Sequence, residues 1–343
     1  MEEGLIKKAE LIHGGAIRLP EGLELPVRLS CSTAGPGAGS SSIVLAYGKY
    51  RVKKPVTYGE GDFDLVPVEG DKYALYRDGE LFQDGVQIQP VIRHCPNQAF
   101  FNLDQHCMYH CAYCTSPVLD PSLDKRLTTE KILAMIDESM QVRKFKTVAF
   151  TSGVVGSTAQ TVDRMCDVVK AVRELYPKIV IGVEPYVSEA GQIAQLREAG
   201  ANEIKIKIEC ATKEIFDRVC PGLDYDNTFS MLREANTYFK KGKMASNILY
   251  GLGETDQDID MAMERLCRMN VLPGPRMVRM NAANRARLLA AGVPEEPPTL
   301  LRTLFLAGLQ KSAMKRHGLN PERFHSMCFS CACCDLVLSL IHI

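Results

Sequence analysis

Six times between residues 98 and 280, a short apolar stretch is followed by one with helical patterning. The apolar stretches are 98–103, 147–150, 178–183, 203–208, 244–250 and, less clearly, 276–280. Between them the apolar residues recur at helical spacing: Ile132, Leu133, Ile136 and Met140; then Val162, Met165, Cys166, Val169 and Val172; then Ile193 and Leu196; then Phe229, Leu232 and Ala235; then Ile259, Met263, Leu266 and Cys267. Thr128 starts the first helix, Ser157 and Gln160 form a capping box for the second, and Gly200 closes the third. Thr299–Lys315 reads as a last amphipathic helix. Strand–helix units in series require a parallel sheet with right-handed crossovers. Six units are two short of a closed eight-fold barrel. The pattern therefore predicts an α/β chain built on a partial (β/α)6 barrel of the TIM type, open on one side; a doubly wound sheet is the alternative.

Residues 1–95 have a different texture. Leu25–Leu29, Ile43–Tyr47, Tyr50–Val52, Leu65–Val68 and Tyr73–Tyr76 are short runs separated by Gly, Pro and Asp, with a hairpin turn at Arg77-Asp78-Gly79-Glu80. This predicts a β-rich accessory region (1–95), a core barrel (96–320) and a cysteine-rich tail (321–343). The glycine-rich stretch 33–40 reads as a turn between strands, since no helix start follows it to form an anion-binding loop. Residues 338–343, Leu-Ser-Leu-Ile-His-Ile, match a translated sequencing adaptor, so the native chain is expected to continue differently beyond Val337 and His342 is given no role.

Lys+Arg and Asp+Glu are both 41, which removes the basic excess of a nucleic-acid binder. No apolar run reaches membrane-spanning length and the first residues lack a secretory pattern, so the chain is expected to be cytoplasmic, with neither membrane nor nucleic acid as partner. Thirteen cysteines are then too many to be structural disulfides. Cys107, Cys111 and Cys114 form one group; Cys328, Cys331, Cys333 and Cys334 form a second. Cys31, Cys95, Cys166, Cys210, Cys220 and Cys267 are scattered and read as small buried hydrophobes.

The first group follows the first barrel strand in the spacing C-x3-C-x2-C, within His106-Cys107-Met108-Tyr109-His110-Cys111-Ala112-Tyr113-Cys114. Three thiolates on one loop hold three irons of a cubane cluster and leave the fourth open. A zinc site completed by His106 or His110 is the alternative. In a parallel barrel the functional residues stand at strand C-termini. Thr151, Ser152 and Gly153 follow strand two, Glu184 strand three, Glu209 strand four, Gly251–Glu254 strand five, and Arg279 and Asn281 lie at strand six.

These residues resemble the radical S-adenosylmethionine (SAM) superfamily over 96 to about 320, and within it the biotin-synthase-related branch that includes lipoyl synthases. The resemblance implies a 4Fe–4S cluster on Cys107, Cys111 and Cys114, with SAM on the open iron. Reductive cleavage of SAM would give a 5′-deoxyadenosyl radical that abstracts hydrogen from an unactivated C–H bond. It implies adenine packing for Tyr113. Thr151, Ser152 and Gly153 would contact the SAM amino group, here without the acid that the family's Gly-Gly-Glu-type motif carries. Glu209 would bind the ribose, Glu184 and Arg279 would join the cofactor site, and Gly251 and Gly253 would form the strand-five glycine motif. A low-potential donor of ferredoxin or flavodoxin type is implied as electron source.

Four cysteines in seven residues of the tail imply a second metal centre, an auxiliary iron–sulfur cluster or a mononuclear iron or zinc, with Cys95 as a further donor. The double-centre layout favours sulfur insertion into a small-molecule or carrier-protein-bound substrate. Modification of a peptide or protein side chain is the rival within the class, and a non-catalytic iron–sulfur or zinc-binding protein is the rival outside it.

Overall fold

The computed structural model describes residues 2–31, 40–120, 122, 127–142 and 145–340. Apart from Ser40, the glycine-rich stretch lies outside them, as do residues 341–343.

The first elements are α1 (Glu3–His13), β1 (Ile17–Arg18), β2 (Ser30–Cys31), β3 (Ser41–Tyr47), β4 (Tyr50–Thr57), β5 (Phe63–Pro67), β6 (Lys72–Arg77) and β7 (Glu80–Gln89). The strands run in the order β2-β3-β4-β1-β5-β6-β7, and β7 pairs back onto β3, so the sheet closes into a small barrel. The expected hairpin forms at Asp78 and Gly79, both at positive φ (52° and 80°), which suits a tight two-residue turn. Two expectations are corrected. Residues 25–29 form no strand, and α1 is a helix inside the region read as β-rich. Leu5, Ala9 and Ile12 recur at helical spacing and bury one face of α1 in the small barrel's core.

The second sheet carries β8 (Gln98–Asn102), β9 (Thr147–Thr151), β10 (Val180–Glu184), β11 (Glu203–Lys205), β12 (Met244–Tyr250) and β13 (Val271–Met277). All neighbours are parallel and the spatial order follows the chain, β8 to β13, with no β8–β13 pairing. A doubly wound sheet would reverse its strand order; this one does not, so the partial barrel holds. Its helices are α2 (Thr129–Met140), α3 (Thr158–Leu175), α4 (Ala190–Ala199), α5 (Lys213–Val219), α6 (Tyr225–Tyr238), α7 (Asp256–Arg268), α8 (Arg285–Ala290) and α9 (Leu300–Arg316); a short α10 (Met327–Cys331) follows. Thr128 caps α2, Ser157 caps α3, and Gly200 ends α4 at φ 117°. The sixth strand begins five residues before its predicted start. Val271-Leu272-Pro273-Gly274-Pro275 reads as a turn, but β13 pairs only with β12, and an edge strand tolerates prolines whose missing N–H would face outward.

Register then sets the site. Asn102, Thr151 and Glu184 are cross-strand partners at the C-terminal ends of β8, β9 and β10. The opposite end of the barrel is occupied by the tail. The fully buried Glu203 carboxylate accepts from the His325 N–H (2.8 Å), the Ser326 N–H (2.9 Å) and the Ser326 hydroxyl (2.6 Å). Gln98 exchanges two hydrogen bonds with the Met327 backbone, at 2.6 and 2.7 Å. Gly182 leaves room for it, since an added methyl would stand 2.9 Å from Ser326 Cβ.

Candidate active site

An open cleft lies at the C-terminal ends of the parallel strands. Cys107, Cys111 and Cys114 line it with Tyr113, Thr151, Ser152, Gly153, Glu184 and Glu209. Nine residues marked from the sequence as site residues thus share one cavity.

The cysteine loop is held from three sides. Arg287 of α8 donates to the carbonyls of Cys111 (2.9 Å) and Cys114 (2.5 Å). Asn284 donates to the Tyr113 carbonyl at 3.0 Å, fixing a ring that is buried against the core. On the β9 side, Gly153 N–H donates to the Asp104 carbonyl (2.8 Å) and Met108 N–H to the Val154 carbonyl (2.7 Å). Asp104 is also paired with Arg164, which donates to the Leu127 carbonyl at 2.7 Å. Gly153 is required by this contact: a methyl there would overlap the His106 carbonyl and stand 2.8 Å from its carbon.

The three thiols differ in surroundings. Cys107 Sγ accepts from the Val154 N–H at 3.4 Å, although burial raises its pKa overall. Behind Cys111, Cys220 and Cys210 are buried in the same core, with Cys220 the neighbour that acts most on the Cys111 thiol. Cys220, then burial, pushes that thiol up. Cys210 and Cys220, read as plain buried hydrophobes, sit directly behind a site residue.

Charged residues unmarked in the sequence reading complete the barrel interior. Lys207 lies 3.4 Å from Glu184 and 3.3 Å from Glu209, and Lys205 lies 3.3 Å from Glu184. Burial pushes the Glu184 carboxyl up, but Lys205, Lys207 and Arg276 outweigh it and hold it below its usual value. The signal was the alternation Glu-Ile-Lys-Ile-Lys-Ile at 203–208. Strand periodicity sends the isoleucines to the helices and the charges inward. Glu209 stands at φ +59°, a left-handed conformation disfavoured for its side chain. Tyr186 and Tyr109, in edge contact at 5.2 Å, close another side of the cleft.

Three expected residues are elsewhere. Gly251 (φ +91°) and Gly253 (φ +106°) form a turn in which Glu254 accepts from the Gly251 and Leu252 N–H groups at 2.7 and 2.8 Å. Arg279 donates to the Ile12 carbonyl at the end of α1. None of the three lines the cleft.

The tail cysteines are not one group. Cys328 faces the barrel interior, 3.1 Å from Arg276 Nη2 and 3.6 Å from Lys205 Nζ, while Arg276 is also paired with Asp335. Cys331 and Cys333 are buried with Cys95 in a separate apolar cluster, and Cys334 is exposed. Among the described residues no three His, Cys, Asp or Glu side chains already form a closed metal-ligand set, and this holds for Cys107, Cys111 and Cys114 as for the tail. No helix among the described residues is long and apolar enough to cross a membrane.

The model of the radical SAM superfamily matches residues 102–266. Biotin synthase 2 of Frankia casuarinae is 29% identical over 104 residues, covering 30% of this chain and 28% of its own length. A lipoyl synthase of Haemophilus influenzae is 27% identical over 193 residues, covering 52% of this chain and 56% of its own. The chain therefore spans at most about half the length of these relatives. Among solved structures, methylornithine synthase superposes with a TM-score of 0.53 at 17% identity, covering 63% of this chain and 62% of its own. The FeFe-hydrogenase maturase HydG from Carboxydothermus hydrogenoformans gives 0.51 at 13%, covering 64% and 52%. Cleft, barrel and sequence match agree: residues 102–266 form a radical SAM domain, distantly related to those of biotin and lipoyl synthases.

Proposed function

We propose that the chain is a radical SAM enzyme whose reaction takes place in the cleft at the strand ends. The observation that carries this is the shared cavity of Cys107, Cys111 and Cys114 with Glu184, Lys207 and Glu209. The superfamily implies a 4Fe–4S cluster and SAM, and the residues present fit both. Three thiols from one loop face the cavity, their loop is fastened through its carbonyls by Arg287, and a backbone N–H already points at one sulfur. The bound pair supplies a 5′-deoxyadenosyl radical from a one-electron reduction. The chain's own work is to bind, orient and shield. Cys107, Cys111 and Cys114 hold three irons. Thr151, Ser152 and Gly153 offer a backbone edge and a hydroxyl to the SAM amino group. Glu209, in its strained conformation, presents a carboxylate to the ribose, and Lys207 keeps Glu209 and Glu184 turned inward. Tyr113 backs the adenine.

The finer reading is sulfur insertion at an unactivated C–H bond of a small or carrier-bound substrate. It rests on the named relatives. Cys328 supports it as the tail thiol hydrogen-bonded to the barrel's inner cations. The electron donor is of ferredoxin or flavodoxin type, and the compartment is the cytoplasm.

Anaerobic protein reconstituted with iron and sulfide, given SAM and dithionite, is expected to form 5′-deoxyadenosine, and Cys111→Ala is expected to abolish it. Product formation unchanged in Cys111→Ala would remove the enzyme reading. Absence of sulfur in the product, with 5′-deoxyadenosine formed, would remove only sulfur insertion.

A further inference from the structure

One stripe of charged side chains crosses the barrel from the tail to the cleft. Along β11 and the residues that continue it, alternate positions 203, 205, 207 and 209 are Glu, Lys, Lys and Glu. The ends of the stripe have clear partners. Glu203 holds the tail at His325 and Ser326, while Lys207 and Glu209 line the cleft. Lys205 stands between them, 2% exposed, and the radical site described above gives it no task. Its ammonium has one partner on each side: Glu184 Oε2 of the cleft wall at 3.3 Å, and Cys328 Sγ of the tail at 3.6 Å. The same sulfur accepts from Arg276 Nη2 at 3.1 Å, and Arg276 is forked onto the Asp335 carboxylate at 2.8 and 2.5 Å. Asp335, Arg276, Cys328, Lys205 and Glu184 thus form an unbroken polar chain from tail to cleft.

A buried ammonium is tolerated only where acceptors surround it. Without the tail sulfur, Lys205 would have Glu184 alone. Glu184 in turn is gripped at three points: Oε2 by Lys205, Oε1 by Lys207 at 3.4 Å, and its backbone carbonyl by the Thr151 hydroxyl at 3.1 Å. Two cations on separate oxygens fix the plane of the carboxylate, whereas one would leave it free to turn. We propose, with the cleft taken as the SAM site proposed above, that Lys205 is a positioning residue for Glu184, and that Cys328, Arg276 and Asp335 make its hold depend on the seated tail. The tail, at the end of the barrel opposite the cleft, then sets how well the cleft takes SAM.

The test measures KM for SAM and kcat separately, as 5′-deoxyadenosine formation by the full reconstituted chain with dithionite. Lys205→Met keeps most of the side-chain volume and removes the charge. It is expected to raise KM about tenfold, the scale of one lost charge-assisted hydrogen bond, with kcat within about threefold of wild type because binding rather than chemistry is weakened. Cys328→Ala raises KM in the same way, and Cys328→Ser, which keeps an acceptor for both cations, restores it. Asp335→Asn raises KM less, and added to Lys205→Met raises it no further, because links of one chain do not act independently. Cys166→Ser on α3 is the control and leaves both constants unchanged. Circular dichroism and iron content of each variant separate a displaced carboxylate from a lost fold or a lost cluster. An unchanged KM in Lys205→Met, equally raised KM in Cys328→Ser and Cys328→Ala, or additive effects of Asp335→Asn and Lys205→Met would each overturn the proposal. If the wild type forms 5′-deoxyadenosine beside such variants, the radical SAM reading stands and only the positioning role falls; a wild type that forms none removes both.

Discussion

Gly153→Ala isolates the contact that joins the cysteine loop to the β9 loop. The glycine is not there for its φ; it is there because a methyl would overlap the His106 carbonyl, 2.8 Å from its carbon and 3.2 Å from the Asp104 oxygen. Carbon–carbon contacts prefer about 3.5–4.0 Å, so the two loops must separate by about 1 Å. Both flanking backbones are hydrogen-bonded, Gly153 to Asp104 and Met108 to Val154, so neither yields freely. Overpacking of this kind costs about 1–3 kcal/mol, which for a domain of this size lowers Tm by about 2–12 °C. The functional effect should be larger, since a misplacement of about 1 Å at a reacting centre costs on the order of 100-fold in rate. Differential scanning calorimetry gives the first quantity and initial 5′-deoxyadenosine formation the second. Gly191→Ala on α4 is the control, because nothing lies within 4 Å of its added methyl. A Gly153→Ala enzyme with unchanged Tm and unchanged rate would refute the reasoning.

Other parts of the site yield further expectations. Arg287→Ala should weaken cluster retention, seen as faster loss of the iron–sulfur visible absorption under chelator, and Arg287→Lys should not restore it because one ammonium cannot reproduce the two-pronged hold. Glu203→Ala leaves four donors, from Lys243, His325 and Ser326, without their buried acceptor and should cost about 3–5 kcal/mol; limited proteolysis should then cut the tail first, and a tail as resistant as before would count against its anchoring role. Glu184 titrates below its unfolded value, so the stability it contributes is fully present above about pH 4.5 and is lost as pH falls through the lower folded value. Lys207→Met should move that acid-side loss to higher pH, read by urea denaturation at a series of pH values; identical profiles would remove Lys207 from the account.

Much of the barrel could be read from periodicity because each βα unit carries its own pattern. Thr128, Ser157 and Gly200 work as caps through local bonds, so their roles follow from neighbours in sequence. Reading failed where a residue's meaning depends on what lies beside it in space. Pro273 and Pro275 break a strand in isolation but are acceptable on an edge, and nothing local says that β13 is one. Lys205 and Lys207 alternate as any amphipathic strand does, yet here the polar face is the interior of a barrel. Arg279 and the Gly251–Gly253 turn follow strands as site residues would, but the first is taken up by α1 and the second by Glu254.

The three-cysteine loop and the βα series are properties of the sequence itself, since both are set by short-range spacing: thiols close enough to share one cluster, and apolar residues at helix or strand period. Which thiols meet outside that loop was decided only by the fold. Cys95 reads from the sequence both as a buried hydrophobe and as a further donor to the tail, and spacing alone does not set Cys328 apart from the other tail cysteines. Packing of the tail across the end of the barrel opposite the cleft separates Cys328 from its neighbours and carries Cys331 and Cys333 to Cys95. No spacing rule encodes that meeting, because partners so far apart in the chain are brought together by burial of the surfaces between them, not by the residues that join them.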